Sequence, residues 1–221
     1  MSKICAVLFD LDGTLADTAP DLAYAANSLR LADGVPPLAF EILRPMTSHG
    51  ARGLIKEAVG LTPEDPGFEH ARLRFLSFYE NNLCVHSKLF PGIPQLLDGI
   101  ETRGLPWGIV TNKVEYFALP LIQQLGLGNR CAVTVGGDTT ANPKPAADPL
   151  LHAAKAINVA PEACVYVGDD LRDIEAAHAA GMTSVAVRWG YLGDGLPIDQ
   201  WNAHHIVRTP KDLHDLLETL C

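Results

Sequence analysis

The chain has 221 residues, of which 48% are apolar, and a formal net charge of −9. That length suits one large domain, or one domain with a sizeable insertion, and supplies a substantial core. The acidic balance argues against broad nucleic-acid binding, which wants a basic surface, yet it leaves room for a small anion held by local cations, a metal and backbone N–H groups.

Lys3 to Phe9 reads as a buried strand, a short branched apolar run ended by charge and glycine. Its apolar part is too short for a signal-peptide core, and no run in the chain approaches the roughly 18 apolar residues of a membrane span. The expected location is therefore the cytoplasm, with no membrane partner and no nucleic acid.

Residues 16 to 88 differ from the rest. They carry helical periodicity and no good strand. Leu22, Ala26 and Leu29 share one helix face, Leu54, Ile55 and Val59 mark a second helix, and Leu73, Leu76 and Tyr79 to Leu83 suit a long third. Pro36-Pro37 and Thr62 to Gly67 break the pattern. This reads as a helical insertion after the first strand, and Phe90-Pro91-Gly92 re-enters the sheet.

Further strands are predicted at Trp107 to Val110, Cys131 to Val135, Cys164 to Val167, Thr183 to Val187 and His205 to Val207. Helical patterns separate most of them, at Ile93 to Arg103, Tyr116 to Leu125, Asp148 to Ile157, Ile174 to Ala180 and Lys211 to Leu220. Such alternation implies an α/β chain with a doubly wound, mostly parallel sheet covered on both faces. The expected division is a core of residues 1–15 and 89–221, with residues 16–88 as the inserted helical domain.

Ligands of open parallel sheets bind outside the carboxyl ends of the strands. Those ends carry Asp10-Leu11-Asp12-Gly13-Thr14, then Thr111-Asn112-Lys113, then Gly136-Gly137-Asp138 followed by Pro143-Lys144-Pro145. Gly168-Asp169-Asp170 comes next, with Asp173 one turn on, and the last full strand leads to Arg188. Crowded carboxylates repel and need a counter-charge. A hard cation such as magnesium fits, because it binds one or two carboxylates plus a substrate phosphate. Lys144 could offset the remaining charge. Thr111 and the N–H groups near Asp12 and Asn112 could grip phosphate oxygens. Asp10 stands where in-line attack would start, and Asp12 could act beside it as acid and base.

The other signals are weaker. The five cysteines are Cys5, Cys84, Cys131, Cys164 and Cys221, an odd count with no Cys-x-x-Cys, so buried thiols are expected rather than a zinc site. Adjacent His204-His205 lacks metal-ligand spacing. Gly126-Leu127-Gly128 is a turn, not a dinucleotide fingerprint, and no phosphate-binding Gly-x-x-x-x-Gly-Lys-Ser/Thr loop occurs.

Phe9-Asp10-Leu11-Asp12-Gly13-Thr14-Leu15, with Thr111, Lys144 and Gly168-Asp169-Asp170…Asp173, resembles the four motifs of the haloacid dehalogenase-like hydrolases, in order and across the whole chain. The resemblance implies a Rossmann-like core and an α-helical cap. It implies that Asp10 attacks phosphorus and that Asp12 protonates the leaving oxygen, then activates water. Magnesium would be held by the Asp10 carboxylate, the Asp12 carbonyl and Asp169, with Asp170 and Asp173 behind them. Thr111 would bind phosphate, and Lys144 would position Asp10. Asp12 favours phosphoryl transfer over dehalogenation, since an alkoxide leaving group needs a proton and a halide does not. Phosphosugar mutases share it and stay open as an alternative.

The insertion resembles the cap of the phosphoglycolate phosphatase-like branch, which would enclose a small phosphorylated metabolite. Arg44 to Arg52, Trp107 to Lys113, Gly136 to Thr139, Cys164 to Asp170 and Trp189-Gly190-Tyr191 also resemble the N-acetylmuramic acid 6-phosphate phosphatases of bacterial cell-wall recycling, and phosphoglycolate phosphatases share several of these stretches. Candidate substrate readers are Arg44, Ser48, His49 and Arg52 in the insertion, with Thr111, Asn112, Lys113 and Arg188 in the core. For Arg44, His49, Arg52 and Arg188 an ordinary surface charge or salt bridge is the competing reading.

Overall fold

The computed structural model describes residues 3–193 and 195–221. The chain runs β1 (Ala6–Phe9), β2 (Ala16–Asp17), α1 (Ala19–Ala32), α2 (Phe40–Met46), a 3-10 turn (Thr47–His49), α3 (Gly50–Val59), α4 (Phe68–Glu80), β3 (Lys88–Leu89) and α5 (Ile93–Thr102). It continues through β4 (Trp107–Val110), α6 (Glu115–Gln124), β5 (Val133–Val135), α7 (Asp148–Ala156), β6 (Cys164–Gly168), α8 (Leu171–Ala179), β7 (Thr183–Val187), β8 (His205–Val207) and α9 (Pro210–Leu220).

Six strands form one parallel sheet in the order β5-β4-β1-β6-β7-β8. The chain starts at β1, steps outward to β5, then returns to the other side of β1. Phe9 pairs with Ile109 on one side and Val167 on the other, so the carboxyl ends of β1, β4 and β6 finish level. This is the Rossmann-like arrangement, and the reversal beside β1 opens a crevice at those ends.

Alternation along β1 builds two cores. Val7 and Phe9 pack with Leu97 and Ile100 of α5, Leu121 of α6, and Leu213 and Leu217 of α9. Ala6 and Leu8 pack with Leu150 and Ala153 of α7 and with Ala176 and Ala177 of α8. With helices on both faces, the strand interior is apolar throughout. Trp107 meets Phe9 edge-on at 6.2 Å and is 1% exposed, and each such fully buried side chain contributes roughly 1.5–3 kcal/mol.

Between β2 and β3 the helices pack on one another, and Leu22, Leu29, Leu54, Ile55, Phe75 and Tyr79 are buried in an apolar cluster continuous with that of Val7 and Phe9. The expectation of no strand there is corrected at its edges. Ala16–Asp17 pairs antiparallel with Lys88–Leu89, so a two-stranded ribbon joins the insertion to the sheet domain. Two-residue strands are too short to show a period. The buried Asp21 carboxylate braces the same neck, accepting the His86 N–H at 2.9 Å and the Ser87 N–H at 2.8 Å.

Other boundaries move for local reasons. Ile4 and Cys5 are bonded to Leu220 and Ala163 outside the strand ladder, so β1 starts at Ala6. β5 likewise starts at Val133 rather than Cys131. On α4 Leu73 is exposed, and the buried stripe is Phe68, Ala71, Phe75 and Tyr79. α8 begins earlier than its apolar pattern, at Leu171, because Asp170 and Asp173 form a capping box. Among the described residues no helix is long and apolar enough to cross a membrane.

Candidate active site

Level strand ends bring distant residues together. Asp10 follows β1, and its N–H extends the ladder to the Val167 carbonyl at 2.9 Å. Thr111 follows β4, Asp169 follows β6, and Lys144 enters from the loop after β5. One oxygen each of Asp10, Asp169 and Asp173 falls within 4.8 Å of the others, and all three residues are buried.

One ammonium serves this cluster. Lys144 Nζ lies 2.8 Å from Asp10 Oδ1, 2.7 Å from Asp173 Oδ1, 2.9 Å from the Val110 carbonyl and 2.7 Å from the Tyr166 hydroxyl. Burial alone would lower its pKa, but the Asp10 and Asp173 charges outweigh that and raise it. Burial pushes the Asp10 carboxyl up to about 7, with Asp173 and Asp12 adding to the rise and Lys144 opposing it. Asp169 is pushed well above the usual carboxylate range, first by burial and then by Asp10 and Asp173. Its two oxygens accept Thr14 Oγ1 at 2.9 Å and the Tyr191 N–H at 2.8 Å.

Three carboxylates against one ammonium leave negative charge uncompensated, and every donor is a hard oxygen. That set suits a divalent oxygen-loving cation. Backbone crowds the acids as well. A Cβ on Gly190 would lie 2.2 Å from Asp169 Cβ, and one on Gly168 would lie 2.3 Å from Asp173 Cγ.

Asp12 is set apart from the triad. Its Oδ1 accepts the Thr18 hydroxyl and lies 3.0 Å from Lys113 Nζ. Asp170 turns away from the acids, because its carboxylate caps α8 at the Arg172 N–H and pairs with the Arg172 side chain at 2.8 Å. Burial would raise Asp170, but the Arg172 guanidinium lowers it below the ordinary value. Asp173 bonds Lys144 and the Asp170 N–H, so the two acids grouped together by sequence occupy different positions.

A cavity of about 570 Å³ opens over these groups, within the usual range for metabolite sites. Of the predicted substrate readers, Ser48, His49, Arg52, Thr111, Asn112 and Lys113 line it. Arg44 and Arg188 do not. Arg44 pairs with Asp17 at 2.8 Å and lies over the Tyr191 ring, which ties it to the neck. Arg188 pairs with Asp199. The Asn112 carboxamide is engaged at both ends by the Lys144 backbone, at 2.9 and 3.0 Å, so it braces the lysine loop. Sequence reading missed Arg72, Phe75 and Tyr79 of α4, Phe117 of α6 and Arg172 of α8 as lining residues. Tyr79 was read on a helix face, but helix spacing does not tell which neighbour such a residue will meet.

A family model described as haloacid dehalogenase-like hydrolase matches residues 7–187. The N-acetylmuramic acid 6-phosphate phosphatase of Pseudomonas putida is 42% identical over 220 residues, covering 99% of each chain. A phosphoglycolate phosphatase of Xanthomonas campestris is 48% identical over 210 residues, covering 94% of each. A crystal structure described as a predicted phosphoglycolate phosphatase from Haemophilus somnus superposes with a TM-score of 0.86 at 27% identity, covering 98% of this chain and 99% of that one.

Proposed function

The chain belongs to the haloacid dehalogenase-like hydrolases, and from that premise we propose that it is a magnesium-dependent phosphomonoesterase with Asp10 as its covalent nucleophile. The observation that carries the reading is the Lys144 ammonium bridging Asp10 and Asp173 beside Asp169 and Thr111 in one cavity.

The ion would be held by the Asp10 carboxylate, the Asp12 carbonyl and Asp169, and when bound it neutralises charge on the phosphate. An Asp10 oxygen then forms the bond to phosphorus as the bond to the leaving oxygen breaks. Asp12 delivers its proton to that oxygen. In the second half Asp12 takes a proton from water, the water oxygen attacks phosphorus, and Asp10 is released with inorganic phosphate. Lys144 holds Asp10 and offsets the acids, and the Thr111 hydroxyl is available to a phosphate oxygen. Residues 16–88 act in this reading as a cap that excludes water and selects the ester.

For the substrate the reading favours N-acetylmuramic acid 6-phosphate. The Pseudomonas putida enzyme of that name is alike along its full length. The cavity mixes apolar Leu22, Phe75, Leu76 and Phe117 with the cations Arg52 and Arg72, which suits a bulky acylated sugar acid. In this reading the enzyme works in the cytoplasm. Phosphoglycolate is the second reading, favoured by the 48% identity to the Xanthomonas enzyme. A phosphoester panel with magnesium separates them. A dominant kcat/KM for N-acetylmuramic acid 6-phosphate supports the first, and one for phosphoglycolate replaces it. Conversion of a sugar 1-phosphate to its 6-phosphate with little phosphate release would instead indicate a mutase.

A further inference from the structure

We propose that Lys113 is a positioning residue for the acid/base carboxylate of Asp12, and not a contact for the substrate phosphate; the inference rests on the phosphatase reading. Lys113 Nζ forms an ion pair with Asp12 Oδ1 at 3.0 Å, with side chains only 10% and 18% exposed. The Thr18 hydroxyl donates to the same oxygen. Among the described residues no hydrogen bond reaches Oδ2. A carboxylate turns easily about its last torsion. Two partners on Oδ1 stop that rotation and leave Oδ2 as the oxygen that exchanges the proton.

The lysine itself is held in place. Its N–H donates to Thr111 Oγ1 at 3.1 Å, and its carbonyl accepts the Gly137 N–H at 2.9 Å. Its ammonium lies 4.9 Å from the centre of the Tyr79 ring, a cation–π contact, and that ring packs on Phe117 at 5.5 Å. Tyr79 belongs to α4, so the helical insertion supplies one wall of the lysine's seat.

This role predicts a dependence on the leaving group. An alkoxide must be protonated as its bond to phosphorus breaks, whereas a dinitrophenolate leaves without help. A lysine that gripped the phosphate would matter equally to both esters. The experiment measures kcat/KM with magnesium for N-acetylmuramic acid 6-phosphate and for dinitrophenyl phosphate, in the wild type, Lys113→Met, Lys113→Arg and Asp12→Asn. This constant reports the chemistry through the first irreversible step.

Lys113→Met is expected to lose at least about tenfold more on the sugar phosphate than on the aryl ester, part of the roughly 10²–10⁴-fold that general acid catalysis supplies. Asp12→Asn should show the same bias more strongly, and Lys113→Arg should recover part of the sugar-phosphate rate. Turnover of the aryl ester reports that the variants fold. Equal losses on the two esters in Lys113→Met, or no loss, would overturn the positioning role. An Asp12→Asn variant without the bias would overturn the acid/base assignment beneath it. Wild type that releases phosphate from neither ester would overturn the phosphatase reading and this inference with it.

Discussion

The backbone of Gly13 presses against the carboxylate of Asp169, so closely that a Cβ on Gly13 would lie 2.2 Å from Oδ2. Gly13 also has a φ of +92°, where side chains are strained. The contact joins the loop after β1 to the loop after β6 across the crevice. Gly13→Ala should displace Asp169 and the turn together. Stability is expected to fall by about 1–3 kcal/mol in urea unfolding, and magnesium affinity, read by calorimetry, to fall more than tenfold.

Lys144 is the only cation among the described residues that bridges two of the triad acids. Its four neighbours converge on one nitrogen, a point-charge arrangement that a planar guanidinium does not reproduce. Lys144→Met should lose activity by at least about a thousandfold and destabilise the protein by roughly 3–5 kcal/mol, the range for breaking a buried ion pair. Lys144→Arg should not restore turnover. Steady-state kinetics and urea unfolding check both.

The raised carboxyls make metal-free stability depend on pH. Asp10 rises from an ordinary 3.8 to about 7 and Asp169 is also raised well above the usual carboxylate range, both chiefly through burial. A group whose folded pKa exceeds its unfolded value contributes stability below the unfolded pKa, and that contribution is lost as pH rises through the folded one. Metal-free protein should therefore melt lower at pH 8 than at pH 5. Magnesium should raise Tm more at pH 8, where it replaces protons that have left. Each ~1 kcal/mol moves Tm by roughly 2–4 °C in a chain of this size. Equal magnesium shifts at both pH values would contradict the cluster's role.

The arginines read from sequence as substrate contacts divide by location. Arg52 lines the cavity, whereas Arg188 is paired with Asp199 away from it. Arg52→Ala should raise KM for N-acetylmuramic acid 6-phosphate about tenfold, roughly the worth of one charge-assisted hydrogen bond. Arg188→Ala should leave KM unchanged. Arg44→Ala should lower Tm by loosening Asp17 at the neck.

Some of this was readable from residues alone, and the reason is physical. Cys164–Gly168 is buried along its whole length, so its apolar run announced a central strand and the polar residues after it. The same logic pointed to Asp10 and Thr111, which follow β1 and β4 directly, and to Lys144 in the loop after β5. Ala16–Asp17 was not legible, because two residues carry no period. Arg44 and Arg52 looked alike in sequence, and only the position of Asp17 separates a neck brace from a cavity wall. Tyr79 was readable as part of a helix face, but that α4 turns it toward Lys113 and Phe117 depends on how the insertion docks.

In the proposed reaction the phosphoryl group passes through Asp10. Enzyme mixed with substrate and magnesium, quenched in acid within milliseconds and digested, can be searched by mass spectrometry for an acyl phosphate. One phosphoryl group is expected on the peptide that contains Asp10, absent in Asp10→Asn, which should also have lost turnover. Full turnover by Asp10→Asn, or a phosphoryl group on another residue with Asp10 unmodified, would contradict it.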